Sequence, residues 1–184
     1  MALEDLIKQQ LSEKRYTHSV RVAQTAVELA KAHSVDEEKA YTAGILHDYC
    51  KEYSKQEQIK IAVEQRLLTS REDLLMPQVL HGPVASYVLK AEGIVDAEDI
   101  LQAVRFHTTG HPDMDVLAKI IFIADYIEPG RKTPNLDGLL ECALNDLDDC
   151  MVEIIDRTAL YLLEKRKIIH EDMIKCRNKI LSKE

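Results

Sequence analysis

The segment from Val116 to Ile127 constrains the fold more than any other part of the chain. It is apolar at nearly every position, so as a helix it would present an apolar surface on almost all sides. Such a helix is stable only at the centre of a fold. It also contains one carboxylate, Asp125, and a buried carboxylate is costly unless it is paired or bound to a cation. The sequence therefore predicts a central helix that carries either a salt bridge or a metal ligand.

The rest of the chain predicts further helices and no strands. Apolar residues recur at three-four spacing, and the 184 residues include only 6 Gly and 5 Pro. The pairs Ser34 with Glu37 and Ser54 with Glu57 have the spacing of capping boxes and predict two helix N-termini. Gly44 favours a close approach by a neighbouring helix, although a helix also simply tolerates an occasional glycine. We predict an all-α bundle that forms one domain over residues 1–184.

Charge and composition exclude several classes of protein. The net charge is −8, which disfavours a nucleic-acid binder, because such proteins need a basic face. No apolar run reaches the length of a membrane span, and the N-terminus lacks the pattern of a signal peptide. The four cysteines show no metal-binding spacing, and we interpret them as free thiols in a reducing cytoplasm.

Histidines and aspartates recur within or beside the apolar segments, and this pattern predicts a metal site. Imidazole and carboxylate ligands without a thiolate motif suit iron, manganese, zinc or other divalent ions. A carboxylate can bridge two ions, so the adjacent His47 and Asp48 could serve neighbouring metal positions. The alternative for each histidine taken alone is a hydrogen-bonded core residue. The candidate ligands are His18, His47, Asp48, His81, His107 and Asp125.

Two basic residues follow the predicted ligand helices. Lys51 lies just after His47-Asp48, and Arg131 lies shortly after Asp125. Two metals roughly 3.5–4 Å apart can activate a water and clamp a phosphate, and nearby cations can hold the remaining phosphates. The alternative for either basic residue alone is an ordinary solvated charge.

Three segments contain or adjoin these candidate ligands: His47-Asp48-Tyr49-Cys50-Lys51, His107-Thr108-Thr109-Gly110 and the run from Ala124 to Arg131 that contains Glu-Pro-Gly-Arg. Together they resemble the HD-domain metal-dependent phosphohydrolases, and within them the YqeK-type symmetrical bis(5'-nucleosyl)-tetraphosphatases. The His-Asp pair alone is weakly specific, but its combination with the other two segments is much more so. The resemblance extends from the Arg15-Tyr16-Thr17-His18 segment to at least Arg131.

This resemblance implies an HD-domain helical bundle around a di-metal centre, with iron expected and manganese or another metal as the alternative. His18, His47, Asp48 and Asp125 would bind one ion, and Asp48 would bridge to a second held by His81 and His107. The implied reaction is hydrolysis of diadenosine tetraphosphate (Ap4A) to two ADP by a metal-bound hydroxide. Asp48, Lys51 and Arg131 would serve catalysis. Lys51, Arg131, Thr108 and Thr109 would contact the dinucleoside polyphosphate.

Other functions stay open at this point. The same ligands could hydrolyse another nucleotide or phosphoester, or could support oxygen chemistry at a di-iron centre, although the two basic residues argue against the latter. A non-catalytic helical protein with structural histidines is also compatible with the sequence. A homodimer is plausible, and the segment from Leu147 to Leu163 is a candidate surface for it.

Overall fold

The computed structural model describes residues 3–132 and 136–182, and their regular structure is helical throughout. A 3-10 turn covers Pro77–Val79. In these two ranges no helix combines the length and the apolar character that a membrane span requires. The helices are α1 (Leu3–Gln10), α2 (Glu13–Ala32), α3 (Glu37–Leu46), α4 (Lys55–Glu64), α5 (Glu72–Leu75), α6 (His81–Ala91), α7 (Glu98–Phe106), α8 (Val116–Ile127), α9 (Leu136–Asn145), α10 (Leu147–Glu164) and α11 (Glu171–Ser182).

Helix α8 lies at the centre of the bundle, as its apolar sequence predicts. It packs against α2, α3, α7, α9 and α10. Ile120, Ile121 and Ile123 in this helix are fully buried. The prediction of an all-α fold around this segment is confirmed. Because α8 contacts so many helices, a side chain at its end is brought close to residues from several parts of the chain.

At Gly44, helix α3 approaches helix α2 closely. A Cβ atom at this position would lie 2.7 Å from the Cα of Ala23 and 3.0 Å from its backbone nitrogen. Of the two interpretations of this glycine, close approach is therefore the one that applies. The contact fixes α3 against α2, and these two helices carry the candidate ligands His47 and His18.

The two predicted capping boxes have different outcomes. Ser54 accepts a hydrogen bond from the Glu57 amide at the start of α4, so its assignment as N-cap is confirmed. The assignment of Ser34 is wrong, because Asp36 caps α3 and accepts from two backbone amides. Ser34 instead has a φ of 55°, in the turn that separates α2 from α3. An Asp at the true cap position outcompetes a serine two residues earlier, since its carboxylate also interacts favourably with the helix dipole.

A buried ion pair joins His170, directly before α11, to Asp73 in α5. The Nε2 atom of His170 lies 3.1 Å from Oδ1 of Asp73, and the backbone amides of Thr69 and Ser70 donate to Oδ2 of Asp73. The hydrogen bond to Asp73 raises the pKa of His170 above its usual 6.5. Burial raises the pKa of Asp73, but His170 and the two amides outweigh it and bring the value to about 2.

The close approach at Gly44 predicts the effect of a single methyl group. Gly44→Ala should lower the free energy of unfolding, because overpacking costs about 1–3 kcal/mol. Alanine's helix propensity returns only about 1 kcal/mol. The backbone of Ala23 cannot rotate away, as a flexible side chain could. Urea denaturation would measure the difference, with the exposed Glu38→Ala on the same helix as control. An unchanged or raised free energy would contradict the packing argument.

The His170–Asp73 pair predicts a pH-dependent contribution to stability. A raised histidine pKa stabilises the fold below pH 6.5, and this contribution is lost as pH rises through the folded-state value. Asp73 contributes above its ordinary 3.8 and loses this as pH falls towards about 2. His170→Gln should therefore reduce the free energy of unfolding more at about pH 5.5 than at about pH 8.5.

Denaturation at both pH values tests this, with His111→Gln as control, because the carboxylate nearest to His111 is exposed. An equal loss at the two pH values in His170→Gln would show that the pair contributes only through neutral contacts.

Candidate metal centre

The structure brings all six sequence-predicted ligands together from five segments. His18 lies in α2 and Asp125 in the last turn of α8. His47 and His107 occupy the C-cap positions of α3 and α7. Asp48 follows His47 in the turn, and His81 is the first residue of α6. The site is therefore built mainly from helix ends that meet beside the end of the central helix.

Three of the histidines are held in one tautomer by the backbone. In each, Nδ1 lies at hydrogen-bond distance from the carbonyl oxygen three residues earlier. A carbonyl only accepts, so Nδ1 carries the proton and Nε2 keeps its lone pair. At the ends of α3 and α7 these bonds also satisfy carbonyls that lack a partner within the helix. The bonds join His47 to Gly44 (2.7 Å), His81 to Gln78 (2.8 Å) and His107 to Val104 (2.7 Å).

Asp48 is almost fully buried, and its two oxygens face different histidines. Oδ2 lies 3.8 Å from Nε2 of His18 and 3.6 Å from Nε2 of His47. Oδ1 lies 3.2 Å from Nε2 of His81 and 3.7 Å from Nε2 of His107. This arrangement is the one that a bridging carboxylate needs, with one oxygen for each of two neighbouring ions.

The pair His81 and His107 gives the clearest indication of a cation position. Their Nε2 atoms lie 3.0 Å apart, and both keep a lone pair because Nδ1 is the protonated nitrogen in each ring. Two lone pairs at this separation repel one another unless a cation lies beside them, and in this structure Nζ of Lys51 lies 3.0 Å from Nε2 of His81. Gly82 permits the approach, since a Cβ there would lie 2.8 Å from the carbonyl oxygen of Arg105.

The other side of Asp48 offers a second group of ligand atoms. Nε2 of His18 lies 3.0 Å from Oδ1 of Asp125, and Nε2 of His47 lies 3.8 Å from the same oxygen. The Nε2 atom of His47 is buried and makes no hydrogen bond within the described residues. The ligand atoms of His18, His47 and Asp125, and those of His47, Asp48 and His107, lie within 4.8 Å of one another. The donor set and the unpartnered nitrogen both fit divalent cations.

Burial of the histidines and the groups around the carboxylates together keep these side chains in the protonation states that metal binding requires. Burial lowers the pKa of both His47 and His81 to about 4, so both rings are neutral at pH 7. Burial raises the pKa of Asp48, but nearby His47, His107, His81 and Lys51 outweigh it and hold the value well below its usual range. The pKa of Asp125 is lowered in the same way by His18, His47 and Arg131, against the effect of burial. Neutral imidazoles and ionised carboxylates are the forms that coordinate metals.

Three basic side chains surround the two carboxylates. Nζ of Lys51 lies 3.6 Å from Oδ1 of Asp48, and Nη1 of Arg15 lies 3.1 Å from Oδ2. Arg131 donates from Nε to the Asp125 carbonyl at 2.8 Å and also pairs with the Asp125 carboxylate. The salt bridge considered for Asp125 thus exists alongside its contacts with His18 and His47. The three cations place positive charge around the mouth of the site, where an anionic ligand would enter.

Among the four histidines of the cluster, His18 is the one whose Nδ1 contacts a side chain, Glu128, in place of a backbone carbonyl. Glu128 is buried, with Oε1 3.2 Å from Nδ1 of His18 and Oε2 accepting from the Gly130 amide at 2.6 Å. A carboxylate on Nδ1 fixes the ring and makes Nε2 a better electron donor than a neutral acceptor would. The Glu-Pro-Gly turn after α8 therefore serves to return this carboxylate to α2.

Thr108 lies at the site, and Thr109 does not contact it. Oγ1 of Thr108 is 3.1 Å from Nε2 of His107 and 3.3 Å from Nε2 of His81. The hydroxyl of Thr109 donates instead to the Gly110 carbonyl. His111 stacks on Phe106, with ring centroids 4.4 Å apart, and is not part of the cluster.

Sequence reasoning assigned no role to Arg15 and Glu128, although both lie in segments that carry the family resemblance. The sequence position of each residue relates it to a candidate ligand. Arg15 precedes His18 by one helical turn on the same face, and Glu128 follows Asp125 by three residues. That spacing places each close to a ligand, but charged residues at such spacing are common on solvated faces. The structure identifies Glu128 as a partner of His18, because it places the end of α8 beside α2.

Comparison with known proteins gives a consistent result. The HD domain profile matches residues 15–130. The chain is 39% identical to the symmetrical bis(5'-nucleosyl)-tetraphosphatase of Bacillus subtilis, over 96% of this chain and 94% of that protein. The enzyme of the same name from Staphylococcus aureus is 42% identical, over 94% and 90%. A crystal structure of an HD superfamily hydrolase from Clostridium acetobutylicum, described as involved in NAD metabolism, superimposes with a TM-score of 0.94 at 38% identity, over 99% and 96%.

The contact between Glu128 and His18 predicts a loss of metal affinity on substitution. Glu128→Gln removes the charge that orients the ring, and such partners typically contribute about 10–100-fold in metal affinity. Titration with Mn(II), followed by the rise in melting temperature and by calorimetry, would measure it. Glu38→Gln, an exposed change on α3, is the control. Wild-type affinity in Glu128→Gln would contradict the role given to this carboxylate.

Proposed function

Because this chain belongs to the HD domain family and, within it, to the symmetrical bis(5'-nucleosyl)-tetraphosphatases, we propose that it hydrolyses dinucleoside polyphosphates such as Ap4A at a metal centre. The observation that carries the proposal is the position of Asp48, whose two oxygens face two separate groups of histidine nitrogens. Arg15 and Lys51 beside this carboxylate, and Arg131 beside Asp125, suit a substrate with a polyphosphate chain.

The proposal assigns the six clustered residues as metal ligands. His18, His47, Asp48 and Asp125 would hold one divalent ion, and His81 and His107, together with Asp48, would hold a second. The contacts of the two Asp48 oxygens and the facing nitrogens of His81 and His107 support this division. Two ions so placed would supply an activated water and would neutralise charge on the attacked phosphate.

The protein's own residues orient the substrate and stabilise developing charge. Lys51 and Arg131, with Arg15, hold the phosphates on either side of the attacked phosphorus, since guanidinium and ammonium groups form charge-assisted hydrogen bonds to phosphate oxygens. Their positive charge also stabilises the charge that builds on the leaving phosphate. The hydroxyl of Thr108, beside His81 and His107, donates to a phosphate oxygen. Thr109 has no part in this binding as proposed here, because its hydroxyl is directed to Gly110.

Several finer assignments belong to the same proposal. Iron is the expected metal, and ADP is the sole product. Residues 1–184 act as a single HD domain, which is supported by the packing of α9 and α10 on α8.

A homodimer would cover Leu160 and Leu163 of α10, each with 62% of its surface exposed. The free state of all four cysteines supports a cytoplasmic location, and the net charge of −8 argues against a nucleic-acid partner.

Product analysis with Ap4A tests the function. The purified chain, loaded with Fe(II) or Mn(II), should convert Ap4A into ADP alone, and a chelator should abolish turnover. Asp48→Asn should lower kcat at least about 100-fold, because a metal centre supplies several kcal/mol of transition-state stabilisation. Chromatography of the products and a metal assay of the purified variant would measure both effects.

Asp5→Asn, an exposed change in α1, is the matched control and should keep full activity and full metal content. AMP plus ATP as products would overturn the proposed cleavage register. Full activity in Asp48→Asn would exclude the bridging role. Turnover of a different phosphoester in place of Ap4A would move the chain to another substrate within the same family.

A further inference from the structure

A groove of about 390 Å³ lies between α2, α9 and the turn that follows α8. Its wall on α2 includes Arg21, Gln24 and Glu28, and its opposite wall includes Pro129 and Leu140. We propose that this groove binds the nucleoside half of one ADP unit of the substrate, an inference that rests on the proposed hydrolysis of dinucleoside polyphosphates. The volume lies within the range of roughly 300–1,000 Å³ typical of small-molecule sites.

Both walls of the groove continue from residues of the metal centre. On α2, His18, Arg21, Thr25 and Glu28 follow three-four spacing, so they share one face of the helix. Glu28 lies about 15 Å along the helix axis from His18, at 1.5 Å per residue. On the other wall, Ile127 is the last residue of α8 and lies two positions after Asp125. The groove therefore extends away from the metal centre, with its near end at Arg21.

This position suits a symmetrical cleavage. When Ap4A is cut into two ADP, the attacked phosphorus is the second from its nucleoside, so one phosphate and a ribose separate the base from the metals. If the nucleoside extends from the site along α2, its base must lie more than one helical turn from His18, in the direction of Glu28. Gln24 and Thr25, which line the groove, follow His18 by about 9–10 Å along the axis of α2, at 1.5 Å per residue.

Arg21 stands at the junction without a partner of its own. It is exposed, and it has no hydrogen bond or ion pair with any residue in the described ranges. Its Nη1 atom lies so close to Gly130 that a Cβ there would collide with it, and the same Cβ would lie 2.8 Å from Oε2 of Glu128. An unpaired guanidinium at this point can hold the phosphate or ribose oxygens that link the base to the metal centre.

The remaining walls provide what a base requires. Ile127, Leu136 and Leu140 give an apolar surface for one face of the ring, and the exposed Gln24 and Glu28 give amide and carboxylate groups for its edge. A larger groove of about 640 Å³ lies elsewhere, lined by Lys119 and Lys179 as well as Asp146, Asp148 and Asp149. None of its lining residues lies within three positions of a candidate ligand along the chain, as Arg21 and Ile127 do, so position favours the groove at Arg21.

Gln24→Trp tests the assignment by filling the groove from an exposed position of α2. Gln56→Trp, at an exposed position of α4, introduces the same side chain away from any groove and is the control. Calorimetry on the Mn(II)-loaded full chain would measure the Kd of ADP and of inorganic pyrophosphate. We expect the Kd of ADP to rise at least about tenfold in Gln24→Trp, since the nucleoside loses most of its buried surface. The Kd of pyrophosphate should change less than about twofold, because phosphates are held by the cations and metals.

Arg21→Ala is the second variant, because it adds no bulk and removes only a surface charge. It should also raise the Kd of ADP and the KM for Ap4A, with melting temperature and helical circular dichroism unchanged. Wild-type ADP affinity in both variants would overturn the proposal. An equal loss of ADP and pyrophosphate affinity in Gln24→Trp would also overturn it, since the effect would then come from the metal centre. If wild type binds ADP through the groove but does not cleave Ap4A, the groove assignment stands and the proposed function fails.

Discussion

The geometry of the metal centre depends on where the imidazole protons are held. Four rings and two carboxylates crowd their electron pairs into one small volume, and this is tolerable only when each ring's single proton is directed away from the centre. Three rings donate that proton to a backbone carbonyl three residues earlier, and His18 donates it to Glu128. The rings are thereby fixed in both tautomer and orientation. Any metal that enters finds nitrogen lone pairs already aimed at it, with no proton to displace.

Close helix packing makes this arrangement possible. Three glycines lie where ligand-bearing segments meet: Gly44 against α2, Gly82 against the end of α7, and Gly130 beside Arg21 and Glu128. At Gly44 and Gly82 an added methyl group would meet the backbone of the neighbouring segment and push apart elements whose ligands must converge, whereas at Gly130 it would meet the side chains of Arg21 and Glu128. Two pairs of ligand-bearing segments thus meet at close backbone contacts. Stability and metal binding are linked through the same positions.

The sequence predicted the centre of the site better than its surroundings. Asp125 was identifiable because a carboxylate in an apolar helix requires a partner, and His47-Asp48 was identifiable because it ends a helix. The resemblance to a known family then grouped the six ligands. Glu128 was not given a role, because its contact with His18 depends on how the end of α8 packs against α2, which periodicity does not reveal. Ser34 was misassigned for a related reason, since two candidate caps lay two residues apart and only the local backbone decided between them. Thr109 shares a motif with Thr108, but the next position along the chain points in a different direction. Its hydroxyl donates to the Gly110 carbonyl and does not reach the site.

The order of the ligands along the chain also bears on how the site is assembled during synthesis. The nitrogens of His47, His81 and His107 and the carboxylate of Asp48 all precede α8, whereas Asp125 lies at its end and α8 packs against the later helix α10. Since His18 also precedes α8, a nascent chain carries five of the six candidate ligands before the central helix has emerged, and Asp125 is the last to be added. The centre can therefore be complete only once the helix that organises the core is in place.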